Sequence, residues 1–103
     1  MAVVEIVRFR LAEGVTEDQF LVDNGRVESD HVVHQPGFLS RATAHGEDGE
    51  WLIIVHWESA GAADASTDGF MDAEATQAFL GDIDGDTYSM KRYSVVEDAR
   101  SVG

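Results

Sequence analysis

The run Trp51–Trp57, WLIIVHW, constrains this chain more than any other stretch. Its residues are mostly β-branched or aromatic, so it reads as a strand. Alternate side chains of a strand face opposite ways. Trp51, Ile53, Val55 and Trp57 share one face, and Leu52, Ile54 and His56 share the other. A strand with one wet face alternates apolar with polar residues, and this one does not. Something must cover both sides of its sheet. The preceding run from Phe38 to His45 predicts a partner strand, and Gly46-Glu47-Asp48-Gly49 predicts the turn of a hairpin between them.

Before the hairpin, VVEIVRFRL over Val3–Leu11 predicts a first strand. Val3, Glu5, Val7, Phe9 and Leu11 share one face; Val4, Ile6, Arg8 and Arg10 share the other. Ala12-Glu13-Gly14-Val15 predicts a turn. Thr16 then reads as a helix N-cap, with Gln19 completing a capping box and Glu17 and Asp18 favouring the helix dipole. Phe20, Val27, His31 and His34 follow at helical spacing. Asn24-Gly25 predicts a break midway, and Pro36-Gly37 predicts the end of the region.

After the hairpin, Ser59 caps a short alanine-rich helix over residues 60–65, which Ser66-Thr67-Asp68-Gly69 is expected to interrupt. A firmer helix is expected over 70–80, a loop over 82–86 and a last strand over 87–96. Residues 1–97 then make one domain, and 98–103 a frayed C-terminal tail. The order β-α-β-β-α-β is the split βαβ, ferredoxin-like arrangement: an α+β fold with a four-stranded antiparallel sheet. Its helical regions cover one sheet face only. A second copy, packed sheet against sheet in an isologous homodimer, is the economical cover for the other.

At 103 residues the chain fits one domain with one modest core. No apolar run is long enough to span a bilayer, and Met1-Ala2 passes straight into a strand, so no signal peptide is expected. Cysteine is absent, which removes disulfides and thiolate chemistry and fits a cytoplasmic protein. The formal charge of −13, from 20 acids against 7 basic residues, disfavours nucleic acid and anionic membranes as partners.

Few residues stand out as chemistry. His31 and His34 lie one helical turn apart with His45 across the hairpin, a spacing a metal could use, although histidines at a helix C-terminus also serve its dipole; no metal is expected. Asp82, Asp84 and Asp86 open like a calcium loop, but Tyr93 stands where the bidentate glutamate belongs, so a turn is expected. Arg8 and Arg10 share a face with Ile6; if that face is buried, each needs a carboxylate or a ligand anion. No nucleophile elbow, phosphate loop or dinucleotide fingerprint is present.

Taken together, VVEIVRFRLAEG, Pro36-Gly37-Phe38, WLIIVHWES, the alanine-rich stretch through Phe79 and TYSMKRYSV resemble the antibiotic-biosynthesis-monooxygenase-like group of dimeric α+β barrel proteins over residues 2–96. The haem-degrading branch of that group matches at Trp57. Its asparagine falls near Val7 and its haem-ligating histidine near Gln77 or Ala78, so that activity is not expected. The quinone-forming branch implies a cofactor-independent monooxygenase of a small aromatic or quinone-type substrate. Its site would bind a ring, stabilise an oxyanion and exclude water. For such a site the resemblance implies ring contacts from Trp57 (or Trp51), Phe9, Met71 and Phe79, and polar contacts or a proton carrier from His56, Tyr88, Arg8 and Arg41. The alternative is a non-catalytic or stress-associated carrier of a small ligand; a third reading is an interaction domain whose cavity its own side chains fill.

Overall fold

A computed structural model describes residues 1–99; positions 100–103, most of the expected tail, lie outside the described residues. Thr16 caps the first helix as expected, its Oγ1 accepting from the Gln19 N–H at 3.1 Å, and Ser59 Oγ likewise accepts from the Ala62 N–H at 3.1 Å. The elements are β1 (Val3–Leu11), α1 (Glu17–Asp30), β2 (Phe38–His45), β3 (Trp51–Trp57), α2 (Ala60–Phe70), α3 (Gln77–Asp82) and β4 (Ile83–Ser94), with 3-10 turns at Val32–His34 and Glu74–Thr76. The strands form one antiparallel sheet in the order β2-β3-β1-β4. This is the ferredoxin-like arrangement, with the second crossover split into two helices.

Burial along β3 alternates as its side-chain parity requires. Trp51, Ile53, Val55 and Trp57 are buried under the helices, whereas Leu52, Ile54 and His56 are only half-buried on the outer face. Phe9, Phe20, Trp51 and Phe79 make the aromatic centre of the core, with Phe20 and Trp51 ring centroids 4.7 Å apart. Each such ring contributes roughly 1.5–3 kcal/mol by leaving water. Gly37 holds the α2 N-terminus close: its φ is +81°, and a Cβ there would lie 2.5 Å from that of Ala62. Only glycine meets both conditions.

Three local expectations are corrected. Asn24-Gly25 does not break α1, because Asn24 is buried and donates from Nδ2 to Thr43 Oγ1 at 3.0 Å, tying the helix to β2. The Ser66-Thr67-Asp68-Gly69 segment does not interrupt α2 either. Ser66 turns inward and is buried, and Thr67 Oγ1 donates back to the Ala63 carbonyl at 3.1 Å, so both hydroxyl residues are accommodated within the helix. The break falls instead after Phe70, where the expected firm helix was to begin. Buried Thr76 donates to the carbonyls of Phe70 and Ala73, and Gln77 Nε2 to those of Met71 and Ala73, satisfying the helix-end acceptors. Finally, the last strand begins at Ile83, inside the expected loop, and ends at Ser94.

That early start creates a large bulge. Arg8 pairs with Ser89 and Arg10 with Asp84, so residues 85–88 stand opposite Phe9 alone. Asp84 Oδ1 accepts from the Asp86 N–H, and Thr87 Oγ1 both donates to the Asp84 carbonyl at 2.7 Å and accepts from the Arg10 N–H at 2.8 Å. The aspartate cluster is thus a turn built into a strand.

Candidate functional site

Between the inner face of the sheet and α2 lies a cavity of about 420 Å³. Its floor is Val7, Ile53, Val55 and Trp57; its roof is Ser66, Thr67, Phe70 and Met71; Phe79 and Leu80 close the back. The space exists because α2 presents the small residues Ala63 and Ser66 to the sheet. The β4 bulge supplies one side, bringing Gly85 and Tyr88 to the wall beside Met90. Met71, Tyr88 and Met90 are exposed and mark the open side.

Trp57 is both wall and structural anchor. Its indole Nε1–H donates to Glu5 Oε1 at 2.9 Å, and its ring meets Phe38 edge-on at 5.8 Å. Glu5 Oε2 accepts from Arg92 Nη2 at 3.2 Å, and the same Nη2 lies 2.8 Å from Asp64 Oδ1. Glu5 is a buried carboxylate on the cavity wall with both oxygens engaged. The Asp64 and Glu5 carboxylates hold the Arg92 guanidinium above its ordinary pKa, Asp64 foremost.

Arg41 stands at the other side of the cavity, from β2. Its side chain is 5% exposed, and the one carboxylate that meets it among the described residues is that of half-exposed Glu28, with Oε2 3.2 Å from Nη1. That contact is off the hydrogen-bonding direction, leaving Nη1 buried without a hydrogen-bond partner among the described residues. The guanidinium carbon lies 5.8 Å from the centre of the Phe79 ring. Burial pulls the Arg41 pKa down, against the opposing pull of Glu28. Tyr88, half-exposed, has its phenol pushed up by burial and then by the negative charge of Glu5, so at neutral pH it is an O–H donor.

Of the residues expected at a site, the structure brings together Trp57, Met71, Phe79, Arg41 and Tyr88. Phe9 is not on the wall: it is fully buried opposite the β4 bulge, packed on Phe20 and Phe79. Trp51 is likewise core, its ring tilted against those of Phe20 and His45. Arg8 and His56 fall on the outer sheet face, as even positions of β1 and β3 must. Arg8 borders a shallow depression with Ile6 and Lys91, and His56 Nδ1 lies 3.0 Å from Ser40 Oγ. Arg10 reaches across the hairpin turn to Asp48, with Nη2 3.2 Å from Oδ2.

The histidines whose spacing a metal could have used are placed as follows: His31 packs edge-on against Phe70, and His45 lies against Trp51. Among the described residues no cluster of histidines and carboxylates is placed to hold a metal. Sequence reasoning passed over Glu5, Ser66 and Thr67. The signal for Glu5 was present: a carboxylate among Val3, Val7 and Phe9 on an otherwise apolar strand face.

No family model matches the chain, and no curated protein matches it. Solved structures do. SnoaB, a cofactor-independent oxygenase from Streptomyces nogalater, aligns with a TM-score of 0.76 at 16% identity, covering 97% of this chain and 98% of that one. A candidate antibiotic biosynthesis monooxygenase from Chloroflexus aurantiacus aligns at 0.70 and 18% identity over 100% of both chains. A dimeric ferredoxin-like protein from Thermobifida fusca aligns at 0.71 and 14% identity over 92% of each. The shared property is the fold. Among the described residues no helix is long and apolar enough to cross a membrane.

Proposed function

We propose, for a chain with the fold of the antibiotic-biosynthesis-monooxygenase-like proteins, that the cavity takes a small phenolic or quinone-type molecule and supports its cofactor-independent oxygenation. The observation that carries this reading is a cavity of about 420 Å³ with apolar walls, a fixed Trp57 indole and few polar groups. The chemistry asks little of a protein. An ionised, electron-rich ring is the reductant and dioxygen the oxidant. A ring CH₂ gives up two hydrogens and two electron pairs as a C–O bond forms and the O–O bond breaks, leaving one oxygen as a carbonyl and the other as water. The cavity contributes orientation through Trp57 and Phe79, exclusion of water, and an O–H donor in Tyr88.

We further propose that the protein works in the cytoplasm as a homodimer, closed by the outer sheet face. That face carries half-buried Val4, Ile6, Leu52 and Ile54, an apolar patch in search of cover.

One observation favours a second reading, a carrier without turnover: among the described residues no histidine lines the cavity, and the oxygens of Glu5 are already engaged. Oxygen uptake with a panel of anthrones separates the two. The oxygenase consumes one dioxygen per substrate and yields a product with one more carbonyl, at a rate that Tyr88→Phe lowers. Saturable binding of the panel with no oxygen uptake assigns the cavity to carriage.

A further inference from the structure

We infer that Arg41 is an anion seat, and that the molecule this cavity takes is an aromatic acid bearing one anionic oxygen, a carboxylate or an ionised phenol, directed at the Arg41 guanidinium. The inference rests on the cavity being a ligand site, as proposed above, and adds the charge and chemical class of the ligand.

A guanidinium withdrawn from water is strongly unfavourable unless paired and hydrogen-bonded. Arg92 shows what full compensation looks like in this molecule: hydrogen bonds to Glu5 and a 2.8 Å contact with Asp64. Arg41 is more deeply buried than Arg92, at 5% against 29% side-chain exposure, yet has one half-exposed carboxylate approaching it obliquely. With 20 acids in the chain, a second partner was not scarce. The buried Nη1 remains without a hydrogen bond among the described residues.

The surroundings specify the rest of the ligand. Arg41 and Phe79 both line the cavity, cation over ring, together with Val55, which pairs with Arg41 across the sheet, Phe70, which meets Phe79 edge-on, and Trp57. A planar ring between these walls would carry its acidic group to the fork of the guanidinium, whose geometry matches a carboxylate or a phenolate oxygen. On the opposite side of the cavity the negative charge of Glu5 is balanced by Arg92, whereas the positive charge of Arg41 is met only by half-exposed Glu28 among the described residues. Glu28 is the competing counterion, and the ligand anion completes what Glu28 leaves undone.

The test compares 2-naphthoate with 2-naphthamide, nearly the same shape with and without charge, by calorimetric titration. Wild-type protein is expected to bind the carboxylate about tenfold more tightly or better, the equivalent of one strong charged contact. Arg41→Gln should bring the two affinities together, the carboxylate losing far more than the amide, and Arg41→Lys should restore part of the gap. Should Arg41→Gln fail to fold, Glu28→Gln carries the test: removing the competing carboxylate should widen the preference.

A second probe, 2-naphthol, distinguishes the two anions. If the seat accepts phenolates, bound naphthol ionises at lower pH in the wild type than in Arg41→Gln, read from naphtholate absorbance. A carboxylate preference without that displacement restricts the seat to carboxylates. Equal binding of naphthoate and naphthamide with no displacement for naphthol overturns the anion seat and leaves the cavity as a ligand site. No binding of any probe overturns both.

Discussion

Two arginines bracket the cavity, and their settings differ in kind. Arg92 is tied into a closed network in which Glu5 accepts from both Arg92 and Trp57, and Asp64 accepts from the outside. Arg41, deeper, has an oblique contact with Glu28 and a buried nitrogen without a hydrogen bond among the described residues. The first end is finished by the fold; the second is left open. Closed polar networks fix geometry, whereas incomplete ones cost stability and persist where a ligand or a reaction completes them. One end of the cavity therefore sets the shape, by locking the Trp57 indole, and the other sets what enters.

Breaking the closed end should have the largest effect. Glu5→Ala leaves the Trp57 N–H and the inner side of Arg92 without acceptors, and should cost about 3 kcal/mol in chemical denaturation. Trp57→Phe removes one donor and leaves Glu5 Oε1 with less, for a loss of about 1.5 kcal/mol on the same assay.

A third buried charge calibrates the two. Asp82, at the end of α3, faces the Asp23 carboxylate and, among the described residues, no cation; burial and then that neighbour push it up to about 6, and the hydrogen bond between them holds Asp23 below its ordinary value. Because its folded pKa lies above the unfolded one, its favourable contribution is complete below about 3.8 and is lost as pH rises through about 6. Asp82→Asn should therefore stabilise the protein by about 1 kcal/mol at pH 7.5 and flatten the stability profile between pH 4 and 7.

The smallest effect is expected at the open end: Arg41→Met should alter stability by no more than about 1 kcal/mol in either direction, since apolar replacements of buried ions are often neutral. Equal losses for Glu5→Ala and Arg41→Met would erase the distinction between the two ends.

Much of this could be read from the chain. Strand parity separated Trp57 and Ile53 from His56 and Ile54, and it required cover on both sheet faces. The caps at Thr16 and Ser59, and the hairpin around Gly46–Gly49, follow from local chemistry that tertiary packing does not override. The breaks inside helices were misplaced because Asn24, Ser66 and Thr67 are poor helix residues in isolation; here Asn24 bonds to Thr43 on β2, Ser66 is buried against the sheet, and Thr67 bonds back to its own helix at Ala63. The bulge was invisible for a related reason. Asp82 to Asp86 looks like a loop by composition, and only the pairing of Ile83 with Leu11 and Asp84 with Arg10 makes strand of it from Ile83 on.

At the site, Trp57, Phe79 and Tyr88 were legible as a group once the chain resembled a family. Their faces were not all legible, since Tyr88 reaches the cavity through a register shift. Glu5 was legible in principle, a carboxylate among valines. What no periodicity reveals is that its partners come from Trp57 and Arg92, far along the chain.

The central claim is that a Trp57-walled cavity binds an aromatic ligand. Tryptophan fluorescence titrated with quinones, hydroquinones and haem tests it directly, with Trp57→Phe and Trp51→Phe as paired variants. The account predicts saturable quenching by a quinone or hydroquinone, abolished in Trp57→Phe and retained in Trp51→Phe, because Trp51 is buried in the aromatic core away from the cavity. Quenching that survives Trp57→Phe, or a flat response to the whole panel, would contradict it.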